Sequence, residues 1–214
     1  MSSNITATSL LTQLSGDNIK MGDIKKLAKE IKMDHALAME LWASGKYHPR
    51  MLAVLIMDKK LLTQKVIEGL AQDLAKHNTD EQGRISEWLL ANQLMKSKPT
   101  VTLLESWENA ELPILRRLFW YHQARLRWTG QKPSSNTEAL LQSLESNMAD
   151  EAPEVQWTMN FTAGWIGVYE PYQRSRCIEL GERLGLYKDD PVPRGCTPGY
   201  LPEFIRIEVA KREK

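Results

Sequence analysis

Residues Leu112–Trp128 read LPILRRLFWYHQARLRW, and this stretch decides the fold class. At 100° per residue it forms one helix with a wide apolar side, where Ile114, Leu115, Leu118, Phe119, Tyr121 and Leu126 face one way. Arg116, Trp120, Gln123 and Arg127 fall on the opposite face, and Arg117 sits at the edge in line with Tyr121, Ala124 and Trp128. A guanidinium at such an edge is half held by packing and can aim at a planar or anionic group. A surface helix whose arginines snorkel to water satisfies the same periodicity.

Outward from this helix the helical period continues in both directions. Upstream, Gly22–Lys32 puts Ile24, Leu27, Ala28 and Ile31 on one stripe, with Lys25, Lys26, Lys29 and Lys32 around the rest. Asp34 is positioned to cap His35–Ala43, which Gly45 ends. Pro49 fits the first turn of Arg50–Met57, a segment apolar nearly all round and therefore expected in the core. Leu61–Ala75, Arg84–Lys96 (opened by Thr79 or Asp80) and a short helix from Thr100 or Thr102 to Trp107 follow. Downstream lie Thr137–Met148, Pro153–Tyr169, Arg174–Leu184 closed by Gly185, and Leu201–Lys211.

The connections are short. Gln131–Asn136 is the clearest linker, and the proline-rich Asp189–Pro202 reads as an extended crossing segment. Ser9–Leu14 reads as a capping run, with Asp17 or Asn18 starting the next turn. Nothing alternates with period two over a useful length, so no strand competes. The expectation is an all-α chain of ten or eleven helices, either a bundle or an α-α superhelix of HEAT-like pairs of ~40 residues. Residues 1–214 are expected to form a single domain.

Composition narrows the function classes. With hydrophobic residues at 42% and charged at 26%, the chain reads as globular rather than disordered. A net charge of +1 does not announce nucleic-acid binding, so any DNA contact requires positive charge gathered on one face. Cys177 and Cys196 are too few for a disulfide framework or a zinc site, and His35, His48, His77 and His122 form no HxxxH pair. No metal and no cofactor is expected. The N-terminus lacks a basic segment ahead of its apolar residues, and no apolar run approaches the ~18 residues of a membrane span. The chain is expected in the cytoplasm as a monomer, away from membranes.

Several segments resemble, in order and spacing, the DNA alkylation repair family of HEAT-like proteins. Met21–Asp58 resembles that family's opening repeat through Gly22, the basic helix Lys25–Lys29, the pair Leu41–Trp42 and the run Arg50–Ala53. SEWLLANQL around Trp88–Asn92, LRRLFWYHQAR around Arg117, NFTAGWIGVYEP around Trp165 and GCTPGYLPEFI (195–205) extend the likeness over roughly Gly22 to Lys211. The resemblance implies a HEAT-like solenoid that binds double-stranded, alkylated DNA and excises alkylpurines by hydrolysing the N-glycosidic bond.

The family's catalytic Asp stands four residues after a Trp, and an Arg and a second Trp on later helices complete its site. By position these fall on Trp88, Asn92, Arg117 and Trp165. The resemblance also implies that Arg116, Arg117, Lys25 and Lys29 hold DNA phosphates. An alkylated purine is cationic, and its departure leaves oxocarbenium character on the sugar. A carboxylate stabilises that charge or steers a water, and an electron-rich indole can lie against the base.

This chain departs from the pattern at Asn92, which is nearly isosteric with Asp but uncharged. Losing one preorganised electrostatic contact costs roughly 3–4 kcal/mol. Against these roles stand plainer ones. Trp88 and Trp165 serve as core aromatics, Asn92 as a backbone-bonded polar residue, and Arg117 as a salt-bridge partner of Glu105, Glu108 or Glu111. The lysines of Lys20–Lys32 are then a solvated face. Three functions stay open on the residues alone: an alkylpurine DNA glycosylase, an inactive relative that binds damaged or branched DNA, and a protein-interaction scaffold.

Overall fold

The computed structural model describes residues 6–16, 18–131 and 135–213. The expected start at Asp17 and the centre of the Gln131–Asn136 linker lie outside them. The described residues form twelve α-helices and no strand, with single 3-10 turns at Lys59–Leu61, Leu94–Lys96 and Pro171–Gln173. In order the helices are α1 (Ala7–Gln13), α2 (Met21–Ile31), α3 (His35–Ala43), α4 (Tyr47–Ile56), α5 (Gln64–Leu74) and α6 (Thr79–Asn92). Then come α7 (Lys98–Glu105), α8 (Pro113–Trp128), α9 (Thr137–Asn147), α10 (Pro153–Tyr169), α11 (Arg174–Leu184) and α12 (Leu201–Arg212). The count exceeds ten or eleven because the run read as a cap is itself a helix, α1, opened by a Thr6–Ser9 capping box.

The chain divides into two compact units, Met1–Leu118 and Phe119–Lys214. In the first, α4 is the central element and packs against α2, α3 and α6. Its apolar circumference explains this: Met51, Leu52, Ala53, Val54 and Ile56 are all buried. Asp34 caps α3 through the Leu37 amide at 3.0 Å, as the sequence predicts. Arg50 belongs both to the segment expected in the core and to a family-like run, and it is buried. It is a core residue whose Nε donates to the Trp42 carbonyl and whose Nη1 donates to the Asp73 carbonyl, while its guanidinium lies 4.9 Å from the Trp42 ring centre.

In the second unit, α10, α11 and α12 pack on one another through glycines. A Cβ at Gly164 would lie 2.8 Å from the Phe204 ring, at Gly167 2.6 Å from Ile205, and at Gly181 2.5 Å from the Cβ of Leu201. Side chains of α12 fill the space that the small residues of α10 and α11 leave open.

The wheel of α8 needs correction. Trp120, Gln123 and Arg127, assigned to the face opposite the apolar side, are all buried. Packing distant in sequence satisfies that face. The Thr162 hydroxyl donates to the Trp120 carbonyl at 2.7 Å, while Arg127 donates to Glu170 Oε1 at 2.7 Å and to Thr137 Oγ1 at 2.9 Å. A buried guanidinium is tolerated only with such partners.

His122, also on α8, is buried with neither ring nitrogen hydrogen-bonded among the described residues. Burial pulls its imidazole down to about 4 from an ordinary 6.5. Between those values the unfolded chain takes up a proton that the folded chain refuses. The neutral ring therefore costs nothing above pH 6.5, and stability falls as pH drops through the window. About 3 kcal/mol should be lost between pH 6.5 and pH 4. His122→Leu should flatten that part of the profile in urea melts taken across the range.

Candidate functional site

The family-like residues of the first unit gather around the last turn of α6. Trp88 and Asn92 are one turn apart and share a face. The Trp88 indole is fixed at its edge, where Nε1 donates to the Met51 carbonyl of α4 at 3.1 Å. Lys25 of α2 lies over the ring, with Nζ 5.4 Å from the centroid. Trp88 is thus half-buried, held by α4, and paired with a cation that is itself exposed. Lys29 lies one turn further along α2 and is also exposed.

Asn92 ends α6, four residues before the Lys96 that the periodicity suggested. The chain departs at Gln93, with φ −124° and ψ −64°. The cause is non-local: the Gln93 amide is buried and donates to the Val54 carbonyl of α4 at 2.6 Å, which pulls the backbone out of register. Asn92 turns its own amide back, with Nδ2 donating to the Trp88 carbonyl at 2.9 Å. A carboxylate lacks that donor, so an Asp here would be repelled by the carbonyl and turn away from it.

Arg117 is 5% exposed and lies behind this turn. Its Nε donates to Ser86 Oγ at 3.2 Å and its Nη2 to Glu87 Oε1 at 2.5 Å. The ion pair is with Glu87, not with Glu105, Glu108 or Glu111, because α8 and α6 bring together residues 30 apart in sequence. Gly83 makes the approach possible, since a Cβ there would sit 3.1 Å from Arg117 Nη2. Arg116 is half-buried, and its Nη1 donates to the carbonyls of Ala110 and Glu111 at 2.7 and 3.0 Å, tying down the turn ahead of α8.

Trp165 belongs to the second unit. Trp128 stacks on it at 6.0 Å and 9°, Tyr169 at 5.7 Å and 30°, and the Arg212 guanidinium lies 4.9 Å from its centroid. Phe161 and Phe204 meet it edge-on, and 5% of its surface is exposed. Its faces are taken by side chains of its own unit. Trp157, Phe161 and Trp165, each one turn apart on α10, form a continuous aromatic ladder.

Among the described residues no group of three or more His, Cys, Asp or Glu side chains could hold a metal ion. Cys177 is buried, which pushes its thiol up to about 12, and Cys196 is exposed; neither is in a disulfide. No described helix is long and apolar enough to cross a membrane.

The fold is shared with a solved structure described as a new family of proteins related to the HEAT-like repeat DNA glycosylases with affinity for branched DNA structures. The two superpose with a TM-score of 0.66 over 97% of this chain and 87% of that one, at 15% identity, which establishes a HEAT-like repeat fold. No curated protein matches the chain. The sequence model of the family described as DNA alkylation repair enzyme matches residues 17–165, more than two thirds of the length, and the chain therefore belongs to that family.

Proposed function

We propose that this protein binds double-stranded DNA, recognises alkylated or branched DNA, and releases bases weakly or not at all. One observation carries the reading: the turn that bears Trp88 presents an amide at Asn92, and the adjacent carboxylate, Glu87, is held by Arg117. Nothing at that turn offers an unengaged negative charge to a developing oxocarbenium ion. The family membership and the shared fold support DNA as the ligand, and the relative with affinity for branched DNA supports recognition of altered structure.

In this reading Lys25 and Lys29 hold phosphates, and Trp88 and Asn92 contact the altered nucleotide. Arg117 is a positioning residue that acts through Glu87, and Arg116 fixes the preceding turn. Trp165 anchors the aromatic cluster of the second unit. The protein works in the cytoplasm as a monomer, without metal or cofactor.

The test is a salt titration. Affinity for duplex DNA should fall linearly on a log–log plot against salt. Lys25→Ala and Lys29→Ala should each reduce the slope by about one phosphate contact while weakening binding to all sequences alike. A slope unchanged in the double variant would remove these lysines from the interface.

A further inference from the structure

The crossing segment ahead of α12, from Asp189 to Tyr200, bounds a cavity of about 250 Å³ in the second unit. Trp157 and Phe161 of α10 form one wall. Their rings are offset-stacked at 5.1 Å and 17°, and Trp157 keeps 40% of its surface exposed. The opposite wall is built on Pro191, Pro193 and Pro198, whose fixed φ angles make it stiff and leave it few backbone donors.

Asn160 and Asp190 bring acceptors to the lining, beside Tyr187 and a Thr197 hydroxyl that already donates to Glu208 and accepts from Lys211. Asn160 is 6% exposed, and its Nδ2 donates to the Gly199 carbonyl at 2.8 Å. That bond fixes which way the amide points, leaving Oδ1 as the acceptor. Oδ1 takes no hydrogen bond among the described residues, so a buried residue that lines the cavity keeps an unused acceptor. Asp190 contributes a carboxylate at the same cavity. Tyr187, at the foot of the strap, adopts φ 60° with its Cβ against Gly199, a conformation held by its surroundings.

We infer that this cavity takes a single unpaired nucleobase carrying an amino group. The volume equals that of about eight waters and lies just below the ~300 Å³ at which pockets begin to hold drug-sized ligands, so one ring system enters and its sugar and phosphate stay outside. The aromatic wall offers a stacking face, which every base can use. The two acceptors select a planar ring edged with N–H donors, as in adenine, cytosine and guanine. The Watson–Crick side of that ring, with its full set of N–H groups, is free only on an unpaired base, as in a bulge. This inference rests on the DNA-binding reading and gives recognition of altered structure a physical site.

The test uses the full chain and a duplex carrying one bulged 2-aminopurine, beside the same duplex fully paired, with 2-aminopurine riboside as a separate probe. We expect tighter binding of the bulged duplex and quenching of its fluorescence. Trp157→Ala should lose about tenfold of that preference. Asp190→Ala, a change at an exposed position, should weaken the preference in the same direction, and neither variant should change affinity for the paired duplex. If DNA binds but shows no preference, or if quenching persists in Trp157→Ala, the pocket assignment is overturned while DNA binding stands. If no DNA binds but the riboside is quenched in a Trp157-dependent way, the pocket stands and the DNA reading falls. If neither probe binds, both are overturned.

Discussion

Asn92→Asp should raise the release of an alkylated purine from duplex DNA by about 100- to 1000-fold over the wild-type protein, whose own rate should lie near the spontaneous one. The argument is electrostatic. By the family resemblance Asn92 falls at the carboxylate position, and it lies one turn beyond Trp88 on the same helical face. Its amide is turned into the helix, donating to the Trp88 carbonyl. An Asp at that position loses the donor, is repelled by the carbonyl, and swings outward, where its charge can meet a cationic sugar. Glu87 does not substitute, because it is a chain neighbour of Trp88 and is bound to Arg117. Base release measured on methylated-purine duplex, with the two proteins side by side, checks this. A variant as silent as the wild type would show that Asn92 does not face the reacting sugar.

Arg127→Met should destabilise the protein by about 3 kcal/mol, measured as a shift in the urea midpoint. Methionine keeps the apolar stem and removes the guanidinium. That leaves Glu170, the Gln123 carbonyl and the Thr137 hydroxyl without the donor they share. Arg127 is 3% exposed, so water cannot replace it at its own end. The Glu170 side chain is 28% exposed and can regain some hydration, which keeps the cost at the lower end of the range for a broken buried pair. Glu170→Gln should cost less, and the double variant less than the sum, because both changes break one contact. Additive effects would mean that Arg127 stabilises through packing alone.

Most element boundaries were legible in the sequence, and those that were had local causes. The Asp34 cap on α3, the Pro153 start of α10 and the left-handed Gly185 that ends α11 fall where cap and turn chemistry put them. The misreadings had causes distant in the chain. Periodicity could not show that α6 stops at Asn92, since the Gln93 amide that redirects it bonds to α4, 39 residues earlier. Nor could a wheel show that the far face of α8 is buried, since the groups that satisfy Arg127 come from α9 and the end of α10.

The candidate site divides in the same way. The one-turn spacing of Trp88 and Asn92 is a local property and could be read directly. The Lys25–Trp88 contact and the Arg117–Glu87 pair depend on helix packing, and the sequence offered only the residue types. Asn160 begins the family-like segment around Trp165, but nothing local marks it as an acceptor at a cavity. Its acceptor becomes visible only where the strap from Asp189 meets α10.

The most direct test of the account is the affinity of the full chain for a four-way DNA junction and for a linear duplex of the same sequence, each measured over a range of salt. The account predicts that both bind, that both affinities fall log-linearly with salt, and that the junction binds more tightly at every salt concentration. Salt-independent or undetectable binding to both would contradict it.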